Sequence, residues 1–290
     1  MELELRETKH PITLANDAFN ELVAIEDQKA GLLGMLRFFF DKSRLAKWQK
    51  KHGIYEFALL DKVMSGTPLI ILEGDVGCGK TALANCIGTP LAKALDKRVI
   101  AFETPSNIRG SGRVGEISSR ITEAFSKVKS SLRGDDIGLF IIDEADDLAT
   151  DREQNQAHHE DKAGLNVLIK QIDLVARDST NIAVMLITNR LKVLDPAVVR
   201  RASQVITFAR PNRSGRAEVF RSMLKGLNPS DDDVSELVEA SERNDRPFCF
   251  SDLFQKIGRQ ALMSAIAEDR PFDKSILLNF ITKVEPSPTI

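Results

Sequence analysis

A chain of 290 residues is long enough for one large domain and a smaller one, each with its own core. Its 40 basic and 42 acidic residues nearly cancel, to a formal net charge of −2, so no overall basicity argues for nucleic acid as a partner. The longest apolar runs are strand-sized, and the opening Met1-Glu2-Leu3-Glu4-Leu5-Arg6-Glu7 is charged where a signal peptide is apolar, so neither a membrane span nor export is expected. The three cysteines, Cys78, Cys86 and Cys249, form no C-x-x-C pair, and Cys78 falls where a disulfide would obstruct the phosphate loop described below. A reducing cytoplasm is therefore the expected setting.

Residues 1–18 read as an N-terminal arm; residues 1–11, with alternating charge and leucine before His10-Pro11, read as a short arm or edge strand, with too little length for a folded domain. The next stretch leads into a helix over Ala30–Phe40, whose triple Phe reads as core. Trp48, Lys50, Lys51 and His52 read as a solvated helix end.

The apolar run Pro68–Leu72 then predicts a buried strand, and Ala82–Ile87 a helix. Between them stands Gly74-Asp75-Val76-Gly77-Cys78-Gly79-Lys80-Thr81, a G-x-x-x-x-G-K-[ST] phosphate loop in the strand–loop–helix context the motif requires. Its glycines let successive backbone N–H groups converge on phosphate at the positive end of the following helix. Lys80 is expected to reach the β- and γ-phosphates of ATP, and the Thr81 hydroxyl to take one Mg²⁺ position, since a hard cation takes oxygen ligands.

A second strand is predicted over Arg98–Phe102. It is followed by a glycine-rich loop, Asn107–Glu116, and a helix with Ile117, Ile121, Ala124, Phe125 and Val128 at helical spacing. Gly138–Ile142 is an unbroken apolar strand ending in Asp143-Glu144. Downstream of a phosphate loop, Asp143 is expected to hold Mg²⁺ and Glu144 to orient the attacking water, whereas a plain helix cap would need only one carboxylate. Residues 150–162 are polar and aperiodic and read as a loop, in which the adjacent His158 and His159 diverge too far to share a metal. An amphipathic helix from Gly164 to Arg177 leads to a third buried strand, Ile182–Ile187, and Asn189 at its tip is a candidate sensor of the γ-phosphate. Beyond Phe208–Asn212 only helical periodicity remains. The expected architecture is a three-layer αβα nucleotide-binding domain with a largely parallel sheet over residues 19–210, followed by a small helical lid over 211–290.

In order and spacing these motifs resemble those of the AAA+ ATPases from about Phe19 to near the end of the chain. Gly74–Thr81 corresponds to Walker A, Leu139–Glu144 to Walker B, Leu186–Arg190 to sensor 1, and Leu194–Arg201 to the arginine-finger segment. The resemblance implies a homo-oligomeric ring, usually a hexamer, in which Arg200 or Arg201 reaches a neighbour's ATP. Without it the two arginines read as a surface pair neutralising local acid. It also implies a nucleotide-contacting set of Gly74 to Thr81 with Ala82 and Ile25.

Within AAA+ the chain is similar to the pachytene-checkpoint and thyroid-receptor-interactor ATPases and their bacterial relatives in antiphage signalling operons. That similarity rests on Val199–Ser203 and Gly164–Asp173. It implies an ATP-driven remodeller of a protein client, a HORMA-domain protein accompanied by a nucleotidyltransferase signalling enzyme. Three departures stand beside it. No substrate-binding domain precedes Phe19. Arg113-Val114 occupies the pore-loop position where relatives carry an aromatic, with Ile108, Val114, Arg109 and Arg113 as the expected client contacts. Phe250–Leu253 falls where relatives carry the sensor-2 arginine, so that role is either lost or moved to Lys256 or Arg259. The alternative function is a nucleic-acid-directed AAA+ ATPase, a loader or transposition helper, with Arg109 and Arg113 lining a basic channel.

Overall fold

The computed structural model describes residues 3–289 except 56, 65, 106–107, 109–114, 150–158, 179–180 and 244. In chain order the elements are β1 (Arg6–His10), α1 (Thr13–Glu21), α2 (Glu26–Phe40), α3 (Lys42–His52), α4 (Ala58–Met64), β2 (Leu69–Gly74), α5 (Lys80–Cys86), α6 (Gly88–Leu95) and β3 (Val99–Glu103). They continue with α7 (Glu116–Ser131), β4 (Ile137–Ile142), α8 (His159–Asp178), β5 (Ile182–Thr188), α9 (Pro196–Val199), β6 (Gln204–Phe208), α10 (Arg213–Met223), α11 (Asp231–Ala240), α12 (Arg259–Ala267) and α13 (Lys274–Lys283). Among the described residues no helix is long and apolar enough to cross a membrane.

Contacts divide the chain into two units. The first comprises residues 1–19, 27–73 and 81–207 and is built on a six-stranded sheet of order β1-β3-β4-β5-β2-β6. Strands β3, β4, β5 and β2 run parallel, and β1 closes one edge antiparallel to β3. Every residue of β4 and β5 is buried, which is why both read as unbroken apolar runs: a parallel strand covered by helices on both faces has no solvent side to mark with polar residues. Helix α7 buries the five residues its spacing predicted, with Phe125 edge-on to Phe140 of β4 at a ring separation of 4.8 Å. Helix α8 adds Leu165, Leu168, Ile172 and Val175 to the same core.

The second unit comprises residues 20–26, 74–80 and 208–290. Its core is formed by Val219, Phe220, Leu237, Phe248, Leu253, Ile257, Leu277 and Ile281, among others, from α10 to α13. Helices α10, α11 and α13 start on side-chain caps. Asn212 accepts from Gly215 N–H, Ser230 and Asp233 form a reciprocal capping box, and Asp273 accepts from Ser275 and Ile276.

The structure corrects the sequence reading in several places. Residues 159–162, read as loop, form the first turn of α8. Strand β6 and helix α1 were not anticipated. Of the triple Phe, Phe39 and Phe40 are buried, but Phe38 is 38% exposed. Helix α3 starts where Asp41 accepts the Arg44 N–H, and it buries no residue, as a solvated helix should.

Candidate functional site

The phosphate loop leaves β2 at Gly74 and enters α5 at Lys80, and the residues between them belong by contact to the helical unit. Gly74, at φ +134°, passes so close to Phe208 that a Cβ would lie 2.0 Å from that residue's carbonyl oxygen. Gly77, at φ +73°, meets the Cys249 sulfur and the Ser251 Cβ, each 2.8 Å from where its own Cβ would stand. Neither position tolerates a side chain. The Lys80 ammonium is buried and donates to the carbonyls of Gly74 (2.8 Å) and Asp75 (2.7 Å), so the loop wraps its own lysine. Asp75 accepts the Val76 N–H through one oxygen and the Arg210 guanidinium through the other. Burial, together with the nearby Cys249 and Asp75, pushes the Cys78 thiol up to about 12; it is a packing residue, not a nucleophile. Ile25 is buried, with its Cδ1 3.8 Å from the Cβ position of Gly79, whereas Val76 and Ala82 are exposed.

In the sheet unit, Thr81 Oγ1 donates to Asp143 Oδ2 at 2.8 Å, joining the first turn of α5 to the residue after β4. The other Asp143 oxygen accepts the Glu144 N–H at 2.8 Å. Glu144 takes the left-handed conformation (φ 52°, ψ 44°), which is uncommon outside glycine and costs of order 1–3 kcal/mol. Its carboxylate is exposed and has no hydrogen-bond or ion-pair partner among the described residues.

Strand β5 lies beside β4 with Leu186 opposite Ile142, which brings Asn189, half-buried, to the same end of the sheet as the two carboxylates. A network that sequence reasoning missed braces this end. Thr188 Oγ1 donates to Asp146 (2.7 Å), Arg190 N–H donates to Thr188 Oγ1 (3.0 Å), and the Arg190 side chain pairs with Asp146 (3.4 Å). Asp195, which caps α9 by accepting the Ala197 N–H, donates its own N–H to the Ala149 carbonyl at 2.7 Å.

The two finger candidates separate cleanly. Arg201 is committed within its own chain, to both oxygens of Asp173 (2.7 and 3.0 Å) and to the Ala197 carbonyl, and the hydrogen bonds to Asp173 raise its pKa. Arg200, at the end of α9, is exposed and has no partner among the described residues. The sensor-2 candidates are both engaged locally, Lys256 with Asp252 and Ser287, and Arg259 with Gln255. Arg109, Gly110, Gly112, Arg113 and Val114 lie outside the described residues, as does His158. Ile108, expected to face a client, is buried in the sheet unit's core. Arg210 carried no periodicity or motif that marked it in advance.

Comparison with known proteins places the whole chain among AAA ATPases. The model of the ATPase family associated with various cellular activities (AAA) matches residues 70–210. The chain is 36% identical to CD-NTase-associated protein 6 of Escherichia coli strain MS 115-1, over 99% of its own length and 96% of that protein. Among solved structures, a chain of the E. coli MS115-1 HORMA:CdnC:Trip13 complex superimposes with TM-score 0.92 at 33% identity, covering all of both chains. Rhizobiales Trip13 superimposes with TM-score 0.76 at 30% identity over 99% of each.

Proposed function

Because the chain belongs to the AAA ATPase family, and within it to the group of CD-NTase-associated protein 6, we propose that it is an ATP-driven remodeller of a HORMA-domain client. In this reading the chain assembles into a homo-oligomeric, hexameric ring, with residues 19–210 as the nucleotide-binding domain and 211–290 as a lid. The client works with a nucleotidyltransferase signalling enzyme. The observation that carries the proposal is the full-length similarity to the chain in the HORMA:CdnC:Trip13 complex.

The residues suit the chemistry. Lys80 and the N–H groups of Gly77 to Thr81 are the phosphate-binding donors. Two hard oxygens 2.8 Å apart, Thr81 Oγ1 and Asp143 Oδ2, form a donor set that fits Mg²⁺. Mg²⁺ held there supplies charge neutralisation on the phosphate oxygens. The Glu144 carboxylate has no partner among the described residues, so it can orient a water and accept its proton as the oxygen attacks phosphorus. Asn189, at the same end of the sheet, contacts that water or the γ-phosphate in this reading. Arg200 supplies positive charge to a neighbouring subunit's γ-phosphate as charge moves onto the leaving oxygen.

The test is ATP turnover by the purified protein alone, with the HORMA-domain protein of its own host, and with DNA. HORMA-stimulated turnover together with release of HORMA from its complex is expected. Stimulation by DNA in place of HORMA would overturn the reading.

A further inference from the structure

Among the described residues Arg210 is the one arginine whose side chain hydrogen-bonds to the phosphate loop, yet its charge is already spent within the chain. Its Nε donates to Asp75 Oδ2 at 2.6 Å, and its two terminal nitrogens donate to the carbonyls of Pro247 (2.6 Å), Ser287 (2.9 Å) and Pro288 (2.9 Å). The side chain is 7% exposed and that of Asp75 16%. A guanidinium presents its N–H groups in a rigid plane, so this one side chain fixes the loop and two distant backbone segments in a single geometry, which a lysine cannot copy.

Each segment it grips is anchored in turn. Ser287 gives both its N–H (3.0 Å) and its hydroxyl (2.6 Å) to Asp252, whose side chain is fully buried. Burial alone would raise the Asp252 pKa. The hydrogen bonds from Lys256, from the Ser287 hydroxyl and N–H, and from the Cys249 N–H outweigh it and hold the carboxyl well below the usual range. Residues 249–251 also touch the loop directly, through Ser251 N–H to the Gly77 carbonyl at 3.1 Å. The remaining Asp75 oxygen holds the Val76 N–H at 2.8 Å, so a pull on Asp75 is a pull on the loop backbone.

We infer that Arg210 is a positioning residue for ATP binding: through Asp75 it sets the phosphate loop in its binding shape, and residues 287–288 form part of that support. The inference rests on the nucleotide-binding reading of Gly74–Thr81. Asp75 is its point of action, because the hydrogen bond of Arg210 to the loop goes there.

The experiment measures KM and kcat for ATP, and the Kd of a non-hydrolysable ATP analogue, for the full-length wild type and R210A, R210K, D75A, R210A/D75A and S287A. Thermal melts report folding. Losing a charge-assisted hydrogen bond at a preorganised loop predicts a rise in KM and Kd on the order of tenfold for R210A, with kcat changed far less. R210K should fold and still fail to restore affinity, since an ammonium cannot reach all four acceptors. S287A should raise KM by a smaller factor. In the D75A background R210A should add little, because the two act as one unit. Equal Kd in wild type and R210K, or full additivity of R210A and D75A, would overturn the inference. Failure of the wild type itself to bind the analogue would instead overturn the nucleotide-binding reading.

Discussion

Lys80, Thr81, Asp143 and Glu144 were legible as residues because each belongs to a short motif whose spacing has a mechanical reason. The sequence leaves Arg200 and Arg201 equal as finger candidates; their neighbours differ, and the one that distinguishes them lies in a different helix. Asp173, on α8, engages Arg201, which leaves Arg200 as the proposed finger, and no motif links the two positions. The variants should therefore behave differently. R200A is expected to bind ATP within a few fold of wild type and lose hydrolysis, since a finger acts mainly in the transition state. R201A removes a half-exposed ion pair, costs at most about 1 kcal/mol, and should show itself first in the melt. Hydrolysis lost in R201A but retained in R200A would reverse the assignment. At the other carboxylate, E144Q should bind ATP and turn it over more slowly by a few orders of magnitude, on the order of 3–4 kcal/mol, whereas K80A should lose binding. Near-normal turnover in E144Q would remove Glu144 from its role.

At the scale of elements, legibility followed burial. The strands that carry the site are covered on both faces and announced themselves as apolar runs. Strand β6 alternates instead, with Ile206 and Phe208 buried and Val205 exposed, over only five residues beside the arginine pair. Helix α1 is only nine residues long and buries only Ala15, so it offers few apolar positions to read, and the first turn of α8 is polar in sequence and invisible to any hydrophobic pattern. Gly164 shows what pattern reading also misses. A Cβ there would stand 2.5 Å from Ile117 Cγ2, so the glycine lets α8 lie against α7. G164A should lose about 1–3 kcal/mol to overpacking and regain about 1 from helix propensity, a net destabilisation of about 1 kcal/mol. A melting temperature unchanged or raised in G164A would show that the helices can move apart freely. The edge strand carries a pH dependence of its own. His10 is 2% exposed, with Nδ1 against Thr89 Oγ1 and Nε2 buried without a hydrogen-bond partner among the described residues. Burial lowers its pKa below 6.5, so the folded state prefers the neutral ring. Its contribution to stability is full above pH 6.5 and falls away as acid drives protonation of the unfolded chain. The difference in melting temperature between pH 7.5 and pH 5.5 should therefore shrink in His10→Asn; an unchanged difference would place the acid-sensitive group elsewhere.

The whole molecule raises the question of where one active site ends. The side chains of Glu144 and Arg200 are both exposed and without a hydrogen-bond or ion-pair partner among the described residues, one at the end of β4 and the other at the end of α9. If hydrolysis needs Glu144 from one subunit and Arg200 from the next, then E144Q and R200A are each inactive alone but complementary. In a randomly mixed ring, an interface is competent when the subunit holding ATP is R200A and its neighbour is E144Q, which is about one interface in four. Equimolar mixing should thus restore up to about a quarter of wild-type turnover, and the specific activity of the wild type should rise with protein concentration as subunits assemble. Independent subunits predict neither effect: two dead variants stay dead on mixing, and specific activity is flat with concentration. Rescue well above a quarter would mean that one competent interface drives its neighbours, which makes the size of the rescue a measure of coupling around the ring as well as a test of the shared site.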